Sequence, residues 1–327
     1  MSKATLQTVA EDDNDIRIDR WFKRHYPSVP FSRLSKAFRK GEVRLDGSRV
    51  KGNERIEAGQ EIRVPPLGDG AMQVRAKEPP KTLDSETIAL VRSWVLHMDD
   101  DVIVLNKPAG LATQGGTGIT KHLDGMLSAL QYDRPSKPKL VHRLDKDTSG
   151  VLLLGRSSNA AAYLAKAFQT NATDKRYWAL VSGVPKEYQG RIKLLMDKVQ
   201  GPHGDKMRVT ETGKKSLTDY AMVDRAAMAA SWLALKPHTG RTHQLRLHCA
   251  EMGHPIIGDG KYGGDLAYLT GSISKKLHLH AQSIHFPHPK GGVMDVRAPL
   301  PPHMRESFET LGFDIEEYED PFEDIDP

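Results

Sequence analysis

The 327-residue sequence has only one cysteine, Cys249. A single thiol closes no intrachain disulfide and builds no thiolate zinc cluster, so packing must hold the fold. Long apolar runs are also missing: none approaches the ~18 residues of a membrane-spanning helix, and no membrane association is expected. Acids at Glu11, Asp12, Asp13 and Asp15 stand where a secretory signal would be apolar, so a cytoplasmic location is the expectation. Common cofactor devices are absent. No G-x-G-x-x-G follows a strand-like run, and the nearest approach to a phosphate loop, 253–258, is followed by Asp259 where a lysine belongs. Neither H-E-x-x-H nor G-x-S-x-G occurs. Of fourteen histidines, the close pairs His243/His248 and His278/His280 lack carboxylates at ligand spacing. We therefore expect no metal and no cofactor.

What the chain does have is positive charge. The net charge is +5, but residues 314–327 hold eight acids and no Lys or Arg, and without them the rest carries +13. Such a surplus suits a polyanion, nucleic acid above all, although solubility alone can explain a moderate excess. The acidic tail reads either as a competitor of phosphate for the basic surface or as a disordered solubiliser.

Residues 1–15 lack periodicity and read as a flexible arm. From Ile16 an amphipathic helix carries Ile18, Trp21 and Phe22 on one side and Arg17, Arg20, Lys23 and Arg24 on the other, ending at Pro27 and Pro30. A second helix runs from Ser32, the expected N-cap, through Leu34, Ala37 and Phe38 to Gly41. Strand-like runs follow at 43–45, 48–50 and 61–64. Between Arg17 and Arg63, 13 Lys or Arg oppose 6 Asp or Glu. This concentration marks 16–66 as a small basic αα-plus-strand domain with Arg33, Lys36, Arg39, Lys40 and Arg44 as candidate RNA contacts. Paired prolines and glycines make 67–86 a linker. Apolar runs at 102–105, 152–154, 178–181, 232–235 and 293–296 then suit strands, and 158–169 suits a capped helix. The fold class expected for 87–313 is α+β with a mixed, mainly antiparallel sheet.

Two segments carry the chemistry. In 140–154 two apolar runs flank a polar loop that presents Asp145 beside Arg143, with a turn at Gly150. A lone Asp in such a turn is more often a turn former than a catalyst. The second segment, 239–248, packs Arg241, His243, Gln244, Arg246 and His248 into ten residues. A buried carboxylate needs a cation to stay ionised, and Arg246 is a candidate for that cation.

His142-Arg-Leu-Asp-Lys-Asp-Thr-Ser-Gly150 resembles the H-R-L-D-x-x-T-S-G signature of the RluA-type pseudouridine synthases. Asn106-Lys-Pro-Ala-Gly-Leu, Lys175-Arg-Tyr-Trp-Ala-Leu-Val-Ser-Gly, Gly240-Arg-Thr-His-Gln-Leu-Arg and Leu277-His-Leu-His-Ala match the family's other motifs in order, and 16–66 resembles an S4 RNA-binding domain. The Lys-Gly-Glu-Val-Arg run at 40–44 and Gly115-Gly116 look most like the RluC group, although Gln114 stands where that group commonly has His. The resemblance implies isomerisation of uridine in large-subunit (23S) ribosomal RNA by a monomeric enzyme without a cofactor. It implies Asp145 as the essential carboxylate and Arg246 as its salt-bridge partner. Tyr177 would stack on the flipped base or move the C5 proton, and Arg143 would fill the gap in the RNA. His142, Arg241 and His243 are further expected RNA contacts. Two other readings are an RNA-binding factor without activity and a hydrolase using Asp145 and Asp147 as paired carboxylates.

Overall fold

The computed structural model describes residues 4–10, 13–67, 83–116, 119–200 and 206–322. The chain divides into two units, Met1–Thr82 and Leu83–Pro327.

The first unit contains β1 (Thr5–Thr8), β2 (Ile16–Arg17), α1 (Ile18–His25), α2 (Phe31–Lys40), β3 (Arg44–Leu45), β4 (Ser48–Arg49), β5 (Arg55–Ile56) and β6 (Glu61–Val64). Its main sheet has the order β1-β6-β3-β4, with β2 and β5 paired separately. Apolar residues at i, i+3 and i+4, namely Ile18, Trp21 and Phe22 on α1 and Leu34, Ala37 and Phe38 on α2, form its core with Ile56, Ile62 and Val64. Gly41 closes α2 in the left-handed conformation, with φ 68°. Pro30, not Ser32, is the N-cap, and the helix opens at Phe31.

The expected flexible arm needs correction. Residues 5–8 pair antiparallel with β6 from Thr5↔Val64 to Thr8↔Glu61, and buried Asp13 accepts hydrogen bonds from Arg24 and His25. Main-chain bonds hold β1 rather than apolar burial, so no hydrophobic alternation announced it.

Most of the expected linker, 68–82, lies outside the described residues. Its last residues are already structured: α3 (Ser85–Ser93) starts after Asp84, whose carboxylate accepts the Thr87 N–H at 2.7 Å. The second unit continues through β7 (Val95–Met98), β8 (Val102–Lys107), α4 (Leu123–Met126), β9 (Lys139–Leu140), β10 (Ser149–Gly155), α5 (Ser158–Gln169) and β11 (Asp174–Ser182). It then adds β12 (Gln189–Val199), β13 (Lys206–Val209), β14 (Lys214–Ala226), β15 (Ala230–Pro237), α6 (Gln244–Glu251), β16 (Leu279–Pro287), β17 (Val293–Arg297) and α7 (Pro302–Leu311). Its sheet runs β13-β12-β14-β15-β11-β16-β10-β8-β7, with β17 on β16 and β9 on β10. Among the described strands of this sheet every pairing is antiparallel except β10 with β16. No described helix is long and apolar enough to cross a membrane.

Residues 314–322 are not a detached tail. Phe313 and Phe322 are buried, Tyr318 stacks on Trp232 at 5.6 Å between ring centroids, and Asp320 accepts from Arg176 Nε at 2.6 Å. Two aromatic anchors, Tyr318 and Phe322, stand among the acids, and Phe313 precedes them.

Candidate active site

The loop between Leu140 and Ser149 is held on both sides of Asp145. Thr113 Oγ1 donates to the Leu144 carbonyl at 2.7 Å and accepts the Leu144 N–H at 3.2 Å. Lys107 Nζ, fully buried, donates to the carbonyls of Pro108 and Leu111 at 2.8 Å each and to that of Lys146 at 3.2 Å. Burial lowers the Lys107 pKa to about 8, with Asp147 and Asp145 opposing the fall. The residues before and after Asp145 are therefore fixed by buried groups, and Asp145 itself is left facing a cavity.

One glycine seats this loop on the sheet. Gly150 has φ 109° and pairs with Ala281, and a Cβ on it would lie 2.1 Å from the Ala281 carbonyl oxygen. On its other side Ala281 pairs with Tyr177. Only one strand thus separates the end of the Asp145 loop from the Tyr177 position. At 4.7–4.9 Å per strand, this brings residues distant in sequence to one cavity.

That cavity, of ≈ 130 Å³, is lined by Asp145, Arg143, Lys175, Tyr177, Arg241 and Arg246 among others. Burial, and secondly the charge of Asp145, raises the Tyr177 phenol above its ordinary pKa, so it is protonated at neutral pH. Lys175 beside it is pushed down by burial, with Asp174 opposing.

Arg246 is in the cavity, but its ion-pair partner differs from expectation. Its Nε and terminal nitrogen donate to Asp259 at 2.7 and 2.6 Å, and both side chains are buried. Asp145 reaches Arg246 only as a longer-range charge. Burial lowers the arginine's pKa, and Asp259 first and Asp145 second more than reverse the effect. Asp259 also accepts the backbone N–H groups of Lys261 and Tyr262 at 3.1 and 3.2 Å. Tyr262 places its ring 5.2 Å from the Arg246 guanidinium and hydrogen-bonds His243 Nδ1 at 2.8 Å. His243 has φ 52° at the N-cap of α6. In the sequence Asp259 stands out only as the residue that spoils a phosphate loop. Its signal is its place after Gly258, a left-handed turn residue packed against the Lys276 carbonyl.

The remaining expected contacts divide. Arg143 is exposed at the cavity edge, and Arg241 donates its Nε to the Lys215 carbonyl at 3.3 Å. His142 does not line the cavity. Its Nε2 accepts the Leu153 N–H at 2.9 Å, its ring stacks on Phe168 at 4.4 Å, and burial, then Lys175, lowers its pKa to about 3. This ring supports β10. Asp147 is exposed and lines a neighbouring cavity that shares Arg246 with the Asp145 cavity. In the first unit Arg33 is tied to Glu42 and the Pro66 carbonyl, Lys40 lies 3.9 Å from Glu42, and Arg44 donates to the Gly47 carbonyl. Lys36 and Arg39 have no side-chain ion pair among the described residues. Asp99, Asp101 and His288 could bring three ligand atoms together. However, the Lys290 N–H donates to His288 Nδ1, which leaves the proton on Nε2, the atom that would face an ion.

The sequence profile of the RNA pseudouridylate synthase family matches residues 101–251, from β8 to the end of α6. Ribosomal large subunit pseudouridine synthase C of Salmonella typhi is 36% identical over 320 residues, covering 94% of this chain and 96% of that protein. The protein of the same name from Vibrio cholerae is 34% identical over 306 residues, covering 91% and 94%. Among solved structures, human RNA Pseudouridylate Synthase Domain Containing 4 shares the fold with a TM-score of 0.59 at 24% identity, over 70% of this chain and 98% of that one. Human RNA Pseudouridylate Synthase Domain Containing 1 has a TM-score of 0.51 at 28% identity, over 63% and 83%. Identity above one residue in three along nine-tenths of the chain goes beyond a shared fold: the chain belongs to the RNA pseudouridylate synthase family and is an RNA-uridine isomerase.

Proposed function

We propose that this protein makes pseudouridine in large-subunit ribosomal RNA, with Asp145 as the essential carboxylate and no cofactor. The observation that carries the reading is the Asp145 loop, held by Thr113 on one side and Lys107 on the other and facing a cavity shared with Tyr177 and Arg246. The relatives named as large-subunit synthases supply the substrate class. The bond changes balance without an external reactant: N1–C1′ breaks, C5–C1′ forms, C5 loses a proton and N1 gains one. Asp145 acts at the sugar or the base, as nucleophile or proton acceptor, in this sequence.

Because its phenol stays protonated, Tyr177 is a poor base, and we assign its ring to stacking on the flipped uracil. Arg246, held by Asp259, supplies positive charge to the cavity floor. Arg143 at the edge takes the gap left in the RNA. Flipping costs a few kcal/mol, and phosphate contacts made by the basic first unit, which we read as an S4-like anchor, offset it.

The test is tritium release from a large-subunit ribosomal RNA transcript labelled at uridine C5. The intact protein should release label while the uracil stays covalently attached to the RNA, and Asp145→Asn should release none while binding RNA as before. Turnover by Asp145→Asn above a few per cent would remove the carboxylate from its role. Mapping pseudouridine in the transcript after reaction would identify the targets, and absence of any would overturn the substrate class.

A further inference from the structure

Side chains of β11 alternate across the sheet. Lys175 and Tyr177 line the Asp145 cavity, whereas Arg176 and Trp178 meet the segment that follows α7. The ladder with β16 breaks between Arg176 and Tyr177: Arg176 pairs with Ser283 and Tyr177 with Ala281, leaving Gln282 as an extra residue. A bulge of this kind loosens pairing locally and re-aims the adjacent side chain. The extra residue is on β16, and on its other side Tyr177 keeps its register with Leu235 of β15, so support from the far face adds to a ladder that is regular on one side only.

That support is present on the opposite face. Arg176 donates to Asp174 on its own strand and, through Nε, to Asp320 Oδ2 at 2.6 Å. The other Asp320 oxygen accepts the Phe322 N–H at 3.1 Å, and the Phe322 ring lies 5.2 Å from the guanidinium. Phe322 is buried against Ala221 of β14 and Ala234 of β15, and Tyr318 meets Trp178 edge-on at 4.8 Å. An exposed ion pair would contribute little. Here the Arg176 and Asp320 side chains are 11% and 13% exposed, so losing Arg176 leaves the Asp320 charge desolvated, and losing Asp320 leaves Arg176 with Asp174 alone. Neither residue lines the Asp145 cavity.

We infer that residues 313–322 form a strap that positions Tyr177, with the Asp320–Arg176 ion pair on one face of β11 setting the placement of the ring on the other. Asp320 and Arg176 are positioning residues, and the effect on turnover rests on the role given to Tyr177 above.

The test uses the full chain labelled with 3-fluorotyrosine, the Tyr177 fluorine resonance being assigned by its loss in Tyr177→Phe. Asp320→Asn should shift or broaden that resonance and lower kcat on the tritiated transcript by about tenfold, with RNA Kd within twofold of the parent. Asp320→Glu should recover part of kcat. A folded Asp320→Asn protein with an unmoved resonance and unchanged kcat overturns the inference. If Asp320→Asn does not fold, Arg176→Lys, which keeps the charge and loses the planar fork, is judged by the same two readouts. Full activity in Tyr177→Ala, which removes the ring, would sink its role in the reaction, and the strap would then stand or fall on the resonance alone.

Discussion

Arg246 and Asp259 form a two-pronged buried ion pair at 2.7 and 2.6 Å, so the cation on the cavity floor is committed to a carboxylate that lies outside the cavity. This arrangement fixes the guanidinium plane before RNA arrives. Asp145 remains the carboxylate that faces the cavity without sharing in that bidentate pair.

Asp259→Asn should therefore cost activity although Asp259 lines no part of the cavity. A hydrogen bond to a charged group is worth ~1.5–3 kcal/mol, so kcat should fall by roughly one to two orders of magnitude. Saturating-RNA kinetics check this. A kcat unchanged within twofold would show that Arg246 needs no fixed partner.

Gly150→Ala tests the seat of the Asp145 loop. A Cβ 2.1 Å from a carbonyl oxygen, on a residue with φ 109°, forces β10 and β16 apart. Destabilisation of at least ~3 kcal/mol is expected, and urea unfolding measures it.

Four histidines should make the protein acid-labile. Burial first of all lowers the pKa of His142 to about 3 and those of His248, His278 and His280 to about 4. The neutral folded forms are favoured, so their stabilisation is complete above the unfolded value near 6.5 and is lost as pH falls toward 4. Between those limits each adds up to ~1.4 kcal/mol per pH unit to the loss. Unfolding free energies at pH 7.5, 6.0 and 5.0 should show net proton uptake on unfolding, and a flat profile would contradict neutral burial.

Lys36→Ala with Arg39→Ala should weaken binding to ribosomal RNA and flatten the salt dependence of log K by about 1.4–1.8, at ~0.7–0.9 per phosphate contact. Because both residues belong to the first unit, kcat should not change. Filter binding at several salt concentrations reads the slope, and an unaltered slope would move the RNA contacts off α2.

Parts of this molecule could be read from the chain because their information is local. Ile18, Trp21 and Phe22 repeat at helical spacing, the leucine run of β10 is unbroken, and residues 142–150 carry their loop chemistry in nine consecutive positions. Pairings chosen in space were not legible. The sequence offers Asp145 as the partner for Arg246, and only the turn after Gly258 brings Asp259 into contact instead. β1 has a single half-buried residue and is held by its backbone. Phe313, Tyr318 and Phe322 are five and four residues apart among acids, a spacing that fits neither helix nor strand.

The parallel pairing of Ser149 with His280 also has a consequence for how the enzyme matures. β16 is the strand between Gly150 and Tyr177, and it is made more than a hundred residues after both. A ribosome that has reached the end of α6 has already made Asp145, Tyr177 and Arg246, yet β10 and β11 have no shared neighbour to hold them in register. Closing so long a loop is slow relative to forming local structure, so activity should emerge late in synthesis. A nascent chain arrested before Leu279 would carry the family's motifs through Arg246 and remain inert.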